Sequence, residues 1–442
     1  MPWSETQAER HLRSLELFGM RFGLDRMRRM MTVLGSPERR FETIHVLGTN
    51  GKTSTTRMIA AILERHGLRT GAYTSPHLMS YTERVQVGER DLKSDAFAAA
   101  IARAAWAAER VNRTLAEDDH VTQFELLTAA AFWELAERGV EVAVIEAGLG
   151  GRYDATSVIS SQVTVLTNVG LEHTRWLGPT VRDIAGEKLA VLRAGTTLVL
   201  GADLAPEALE VAVAVAGERA ARIVQVPDAN GTVGLLARGS FQQRNFALAR
   251  AAAEAYLQGT EGAAGKLEQG AAQGDAHERA VLDAAAQTAV PGRLQVLEGE
   301  PLTVLDGAHN PDAVAALVES LPEVLGERPT ALVLGVLEDK DAAGMLAALL
   351  GVCERAWFTA PASSRALSPA ALESLARQLG FEQAACEPAP WRALEEARRW
   401  ASERGGAVLV TGSVYLVGEL LGRLHGGDSL PGAESLRRGS VG

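Results

Sequence analysis

Short apolar runs, many of them β-branched, alternate in the first half of the chain with longer segments whose apolar residues recur at helical spacing. The short runs predict buried strands at residues 43–47, 69–74, 140–145 and 163–167. The longer segments predict helices at residues 5–34, 53–66, 94–113, 124–138 and 181–192. Because strands and helices alternate, we expect an α/β fold with a mostly parallel sheet.

The alternation stops at residues 258–289, where Gly, Ala and Gln accumulate and the apolar period is lost. We expect a variable surface segment there, ahead of a domain boundary. A second α/β series begins at Pro291, with strands predicted at residues 302–305, 330–334, 356–359 and 407–410. The pattern therefore predicts an N-terminal domain at residues 1–290, a smaller C-terminal domain at 291–425 and a loose tail at 426–442.

Composition narrows the class of protein. Apolar residues make up 47% of the 442 residues and charged residues 22%, as in a chain with a large core. The net charge of −11 disfavours non-specific binding to nucleic acid or anionic lipid. The 2 cysteines form no disulfide framework, the first residues are charged where a signal peptide is apolar, and no apolar run approaches the ~20 residues of a membrane helix. We expect a cytoplasmic protein without nucleic-acid or membrane partners.

The strongest local motif is the segment GTNGKTS at residues 48–54, between a predicted strand and a predicted helix. Glycines let backbone N–H groups approach phosphate oxygens, the helix start adds partial positive charge, and a lysine reaches the outer phosphates. The usual loop of this kind is longer than this one, which has only Thr49 and Asn50 between its glycines. We interpret it as a variant phosphate loop; the alternative is a tight glycine turn that joins strand to helix.

Two further polar residues follow predicted strands. Glu146 ends the run at 140–145, and Asn168 follows the run at 163–167. In an open parallel sheet, ligands bind beyond the carboxyl ends of the strands. We therefore expect both residues at the edge where the phosphate loop lies.

Lysine is rare in this chain, since only five of the 44 basic residues are lysine. Arginine cannot replace an amine chemically, so each lysine is a candidate for a position that needs the compact amine. The five are Lys52, Lys93, Lys188, Lys266 and Lys340.

Several motifs occur in one order along the chain: GTNGKTS at 48–54, TSPHL at 74–78, YTERV at 81–85, EAGLGGRYDAT at 146–156, EHT at 172–174, EK at 187–188, PGR at 291–293 and DGAHNP at 306–311. In that order the chain resembles the folylpolyglutamate synthases and dihydrofolate synthases of the bifunctional bacterial type, in the Mur ligase superfamily. The resemblance runs from about Leu24 to Tyr415. Thr53 stands where many members have Gly, and residues 258–289 match nothing in the family's pattern.

The resemblance implies an ATP-dependent ligation of L-glutamate to dihydropteroate or a folate. In this reaction ATP phosphorylates the carboxylate, and the amine of glutamate then displaces phosphate to form an amide. It implies ATP and Mg²⁺ as cofactors, a P-loop ATP-binding domain at residues 1–290 and a Rossmann-like ligase domain at 291–425. We also expect a monomer whose partners are the small-molecule substrates.

The resemblance also assigns roles to residues. It gives Lys52, Lys188 and His173 catalytic roles, with Lys188 carbamylated, and it makes Ser75, Glu146, His173 and Lys188 the metal ligands. Its nucleotide contacts are Asn50, Gly51, Lys52, Thr53, Ser54, Asn245, Arg293, Asp306 and His309. Its pterin-side contacts are Asp25, Arg26, Thr122, Phe124, Tyr153, Asp154 and Ala155.

Four of these residues also have a structural interpretation. His173 alone is typical of a packed loop histidine, and Lys188 of the exposed face of a helix. Asn245 alone suggests a helix-surface amide, and Phe124 alone fits core packing as well as stacking on a pterin.

Two other functions are alternatives. A peptidoglycan ligase that acts on a UDP-muramoyl substrate carries a nucleotide-sugar domain ahead of its phosphate loop, and the 47 residues before Gly48 are short for such a domain. A non-catalytic nucleotide-dependent switch needs no Arg293 or Asp306, and it shows no glutamate-dependent release of ADP.

Overall fold

The computed structural model describes residues 2–15, 23–227, 233–259 and 271–426. The chain divides into two compact units. The first comprises Met1–Pro76, Ser80–Leu235 and Gln243–Thr288, and the second comprises His77–Met79, Leu236–Gln242 and Ala289–Gly442. The domain division at residues 290 and 291 stays a prediction, and the predicted tail lies, from residue 427 onward, outside the described residues.

Within the described residues, eight strands form the sheet of the first unit, in the order β4-β3-β2-β5-β1-β6-β7-β8. Strands β2, β5, β1, β6, β7 and β8 are parallel, and β3 and β4 extend one edge in antiparallel pairing. The mostly parallel α/β sheet is therefore confirmed. The strands are β1 (Glu42–Leu47), β2 (Thr70–Tyr73), β3 (Val85–Val87), β4 (Arg90–Asp91), β5 (Val142–Glu146), β6 (Val163–Leu166), β7 (Thr197–Leu200) and β8 (Arg222–Gln225).

Amphipathic helices cover this sheet. Helices α1, α2, α4 and α5 bury their apolar residues in one cluster with strand residues of β2 and β5, and α7 and α8 bury theirs with residues of β6 and β7. The helices are α1 (Glu5–Ser14), α2 (Asp25–Leu34), α3 (Lys52–Arg65), α4 (Ser94–Asn112), α5 (Gln123–Glu137), α6 (Thr174–Leu177), α7 (Val181–Leu189), α8 (Pro206–Glu218), α9 (Ser240–Gly259) and α10 (Ala271–Gln287). The predicted helical opening at 5–34 contains α1 and α2, and residues 16–22 between them lie outside the described part.

The prediction of a variable surface segment at residues 258–289 is wrong for α10. Val281, Ala284 and Ala285 on this helix are buried, and the helix packs on α3. These residues recur at helical spacing, but two of them are alanines, so the apolar face is too weak to stand out in the composition. The predicted segment at residues 260–270 lies outside the described residues.

The second unit contains a sheet of six strands, counted over the described residues, in the order β13-β12-β11-β14-β10-β9. All pairs are parallel except that of β9 with β10. Alternate strand residues enter two layers of helices: Leu332 and Leu409 pack with α11, α12 and α13, whereas Val333 and Val408 pack with α14 and α15. The strands are β9 (Gln295–Leu297), β10 (Leu302–Leu305), β11 (Thr330–Leu334), β12 (Arg355–Phe358), β13 (Ala384–Cys386) and β14 (Ala407–Thr411), and the helices are α11 (Pro311–Leu325), α12 (Ala342–Leu349), α13 (Pro369–Gln378), α14 (Pro390–Ser402) and α15 (Val414–Gly426).

The four strands predicted in this half are confirmed as β10, β11, β12 and β14, each within one residue at either end. A smaller α/β unit therefore follows the larger one, as predicted. No helix in the described ranges combines the length and the apolar character needed to cross a bilayer.

Candidate active site

The phosphate loop lies between the end of β1 at Leu47 and the start of α3 at Lys52. Gly51 has φ +80°, a conformation that favours glycine, and a Cβ at this position would overlap Oδ1 of Asn245. Asn245 is on α9, so the structure brings this predicted nucleotide contact against the loop rather than leaving it as a surface amide. The tight backbone and the helix start give the loop the features of an anion site.

Residues after β6 hold the loop in shape. The backbone N–H of Asn50 donates to Oδ1 of Asn168 at 2.8 Å, and the hydroxyl of Thr167 donates to the carbonyl of Asn50 at 2.6 Å. The backbone N–H of Gly170 donates to the hydroxyl of Thr49 at 3.0 Å. The expected position of Asn168 is confirmed, whereas the roles of Thr167 and Gly170 were missed because no local pattern links them to a segment more than 100 residues away.

Glu146 ends β5 and is buried, with 1% of its surface exposed. The hydroxyl of Thr53 donates to its two carboxylate oxygens at 3.0 and 2.9 Å, and the backbone N–H of Ser75 donates at 3.1 Å. Parallel pairing of β2, β5 and β1 brings these three residues together at one sheet edge. Carboxylate and hydroxyl oxygens are donors that suit Mg²⁺, so the residues present fit that cation.

Two lysines meet on one carbonyl oxygen of the loop. Nζ of Lys52 donates to the carbonyl of Gly48 at 3.2 Å, and Nζ of Lys188 donates to the same oxygen at 2.9 Å. Lys188 also donates to the carbonyl of Leu149 at 2.8 Å. Because only 2% of Lys188 is exposed, the interpretation of this residue as part of an exposed helix face is wrong.

The surroundings of Lys188 disfavour its charged form. Burial, and then the charge of Lys52, lower the pKa of Lys188 to about 7, against the opposing charges of Glu172 and Asp154. Near neutral pH a large fraction of this side chain is therefore the free amine, the form that reacts as a nucleophile.

His173 lies at the start of α6 with φ +53° and about one third of its side chain exposed. Its Nε2 is 3.9 Å from a carboxylate oxygen of Glu172. Among the residues that the structure describes, no three His, Cys, Asp or Glu side chains cluster closely enough to hold a metal ion. The metal set that includes His173 therefore stays a prediction.

Four of the pterin-side candidates gather at the loop after β5. A Cβ at Gly148 would be 2.7 Å from Cζ of Phe124, so that the ring of Phe124 lies against the glycine backbone. Asp154 accepts a hydrogen bond from the backbone N–H of Gly150 at 3.0 Å. Tyr153 is 47% exposed beside it, and Ala155 is buried.

The other three pterin-side candidates serve the local fold. The buried guanidinium of Arg26 donates to Glu125 at 3.1 Å and to Asp119 at 2.9 Å. Thr122 caps α5 in a reciprocal arrangement with Glu125. Asp25 is on the surface and pairs with Arg29 four residues further along α2; the substrate contacts assigned to Asp25, Arg26 and Thr122 stay predictions.

In the second unit, Asp306 and His309 follow β10, and the side chain of Arg293, which precedes β9, lies against the same loop. Asp306 is 3% exposed, and its carboxylate accepts the backbone N–H groups of Leu294 and Ala308, each at 2.7 Å. Burial raises the pKa of Asp306, against the opposing charge of Arg293 and the two hydrogen bonds. A Cβ at Gly307 would overlap the guanidinium of Arg293, and Nδ1 of His309 is 2.8 Å from the carbonyl of Gly307.

Comparisons with known proteins show which family the chain resembles. The family model of the Mur ligase middle domain matches residues 46–205, and that of the Mur ligase glutamate ligase domain matches residues 292–414. The folylpolyglutamate synthase of Lacticaseibacillus casei is 34% identical over an alignment 429 positions long, which covers 91% of this chain and 95% of that protein.

Solved structures extend the likeness to the fold. The Mycobacterium tuberculosis folylpolyglutamate synthase complexed with ADP superposes with a TM-score of 0.85 at 30% identity, covering 96% of this chain and 99% of that one. Escherichia coli FolC in complex with DHPP and ADP gives a TM-score of 0.81 at 28% identity, covering 97% and 99%. The chain therefore belongs to the family of folylpolyglutamate synthases and dihydrofolate synthases and is an ATP-dependent ligase.

Proposed function

We propose that the protein uses ATP to join L-glutamate to dihydropteroate, to (tetrahydro)folate polyglutamates, or to both, as a step of folate biosynthesis. The observation that carries this proposal is the phosphate loop with Glu146 and two lysines at one sheet edge, in a chain that aligns almost end to end with folate ligases. One such relative has been solved with DHPP and ADP together.

The proposed reaction has two steps. A carboxylate oxygen of the pteroate attacks the γ-phosphorus of ATP, ADP leaves, and an acyl phosphate forms. The amine of glutamate then attacks the acyl carbon, phosphate leaves with its electron pair, and the amine loses a proton to give the amide. In the first step Lys52, the N–H groups of the loop and the start of α3 hold the outer phosphates and offset the charge that develops there.

The residues at the loop also fit a bound cation. Mg²⁺, when bound, offsets charge on the phosphate oxygens. We propose that Ser75, Glu146, His173 and Lys188 hold it, with Lys188 carbamylated: its free amine adds to CO₂, an N–C bond forms and a proton is lost. The side chain then carries −1 instead of +1 and offers two oxygens, which an ammonium beside Lys52 does not.

The remaining roles follow the family. Asn50, Gly51, Thr53, Ser54 and Asn245 are proposed as nucleotide contacts from the first unit. Arg293, Asp306 and His309 are proposed as nucleotide contacts from the second unit. For Asp306 the support is indirect, because its carboxylate fixes the backbone next to Arg293.

An assay of ADP release tests the function. Purified protein with ATP and Mg²⁺ is given L-glutamate and, in turn, dihydropteroate, tetrahydrofolate or a UDP-muramoyl substrate. We expect continued, multiple-turnover release of ADP only when glutamate and a pteroate are both present, with a matching glutamylated product by mass spectrometry. Turnover with the UDP-muramoyl substrate alone would favour the peptidoglycan ligase, and nucleotide turnover indifferent to glutamate would favour the switch.

Two lysine variants test whether the release of ADP depends on the phosphate loop. Lys52→Ala should lose at least about a hundredfold in ADP release with every substrate, because the outer phosphates lose their cation. The matched control is Lys93→Ala, which removes an exposed lysine just before α4. Equal turnover of the two variants would contradict the role given to Lys52.

The cellular compartment and the oligomeric state of the protein are also proposals. Both cysteines are free thiols, Cys353 buried and Cys386 exposed, as is usual in a reducing compartment. We therefore place the enzyme in the cytoplasm, which cell fractionation tests. We also propose that it is a monomer, which light scattering tests.

A further inference from the structure

A buried chain of hydrogen bonds runs beneath the candidate active site, from β1 to the glycine loop after β5. We infer that the relay His45–Thr156–Asp154 fixes this glycine loop, Gly148–Gly151, against the pteroate acceptor, and that His45 and Thr156 are positioning residues of the ligase reaction. The inference rests on the proposed function, because it assigns the loop to the acceptor side.

The relay is continuous and closed to solvent at its start. His45 is 1% exposed and Thr156 is fully buried. Nε2 of His45 lies 2.9 Å from the hydroxyl of Thr156, and that hydroxyl lies 2.6 Å from Oδ1 of Asp154. The other oxygen, Oδ2, accepts the backbone N–H of Gly150 at 3.0 Å. Asp154 thus connects the buried strand to the backbone of the loop.

The number of available protons decides which group donates in each hydrogen bond of the relay. The carboxylate of Asp154 can only accept, so the single hydroxyl proton of Thr156 points to Asp154. The hydroxyl oxygen must then accept from His45, which requires the tautomer with a proton on Nε2. The charged groups facing His45 are Asp154 and Arg193, and burial outweighs them and keeps the ring neutral at pH 7. His45 is therefore a permanent donor at the base of the relay.

The loop needs such a tie because glycines have no side chains to pack. Gly150 has φ +80° and Gly151 has φ +108°, so the backbone is in a conformation that few other residues adopt. The same loop supplies the carbonyl of Leu149 to Lys188 and lies against Phe124 at Gly148. A shift of the loop would displace a predicted catalytic lysine and a predicted pterin contact together.

Strand β1 depends on the relay less than the glycine loop does. Strand β1 is already paired on both sides, with β5 and with β6, through regular backbone hydrogen bonds. Burying the side chains of His45 and Thr156 there costs free energy unless both are hydrogen-bonded, and apolar residues would avoid that cost. Precise placement of the loop is what the polar relay adds.

Steady-state kinetics of paired variants test the inference. Thr156→Val keeps the shape and removes the hydroxyl, whereas Thr156→Ser keeps the hydroxyl. We expect Thr156→Val to raise KM for the pteroate about tenfold while KM for ATP changes less than twofold, and we expect Thr156→Ser to stay within about twofold of the wild type for both. The pair His45→Leu and His45→Gln repeats the comparison, since a glutamine amide also donates, and it serves if Thr156→Val does not fold.

The matched control is Thr43→Val. Thr43 is on β1, two residues before His45 and equally buried, and its hydroxyl has no hydrogen-bond partner among the described residues. Unchanged KM for the pteroate in Thr43→Val, Thr156→Ser and His45→Gln, with raised KM in Thr156→Val and His45→Leu, supports the relay. Wild-type KM in the disrupting variants, or equal rises in KM for ATP and pteroate, overturns it. A wild-type enzyme that ignores pteroates overturns the proposed function as well.

Discussion

Two buried cations of the first unit have opposite surroundings. Arg26 meets two carboxylates, Glu125 and Asp119, and although burial lowers the pKa of Arg26, the hydrogen bond and charge of Glu125 and then those of Asp119 raise it overall. Lys188 meets two backbone carbonyls and the charge of Lys52, and its pKa falls to about 7. The first site stabilises a charge, and the second destabilises one.

This difference separates a structural cation from a reactive one. An arginine tied to two acids at a helix cap is a fixed element of the fold. Lys188 is buried, and its lowered pKa favours the uncharged amine, which is suited to chemical change. This lysine lies at the phosphate loop, in a chain with few lysines. Substitutions at Lys188 and at Arg26 test this difference.

The largest effect is expected at Lys188. Lys188→Ala should lower kcat by about 10² or more, because the site loses the oxygens of the carbamate near the phosphates. Small carboxylates in the buffer should restore a little activity, and ¹³C NMR of wild-type enzyme under labelled CO₂ should show a carbamate signal that is absent from the variant. Full activity of Lys188→Ala would contradict the carbamate proposal.

At Arg26 the expected effect is on stability. Arg26→Leu should lower the free energy of unfolding by about 3–5 kcal/mol, because two carboxylates lose their cation and Glu125 is buried. The control is Arg29→Leu on the same helix, whose exposed pair with Asp25 should contribute less than about 1 kcal/mol. Urea denaturation of both variants measures the difference, and equal losses would refute the structural role of Arg26.

A smaller effect is expected from pH at His45. Its pKa is about 4 in the folded protein and 6.5 when unfolded, so protonation favours the unfolded chain. The contribution to stability is complete above pH 6.5 and is lost as the pH falls from 6.5 to 4, by about 3 kcal/mol in total. The difference in unfolding free energy between the wild type and His45→Gln across this range isolates the contribution of His45. A difference that does not change with pH would contradict the burial of a neutral ring.

The sequence was sufficient for the fold class, because the alternation of apolar runs and amphipathic segments repeats many times. It also placed Glu146 and Asn168 at the phosphate-loop edge, since parallel strands end together. It did not reveal the partners that orient these residues. His45 and Thr156 are 111 positions apart, and nothing in either neighbourhood marks a buried hydrogen bond. Helix α10 was missed because alanine gives a weak apolar signal.

The proposed acyl phosphate joins the two half-reactions, and the transfer of an oxygen isotope tests this intermediate. A pteroate with both carboxylate oxygens labelled with ¹⁸O is turned over with ATP and L-glutamate, and the released phosphate is analysed by mass spectrometry. Because the attacking carboxylate oxygen stays on phosphorus, each phosphate should carry one ¹⁸O atom for each amide formed. Unlabelled phosphate from a reaction that forms the amide would rule out the acyl phosphate.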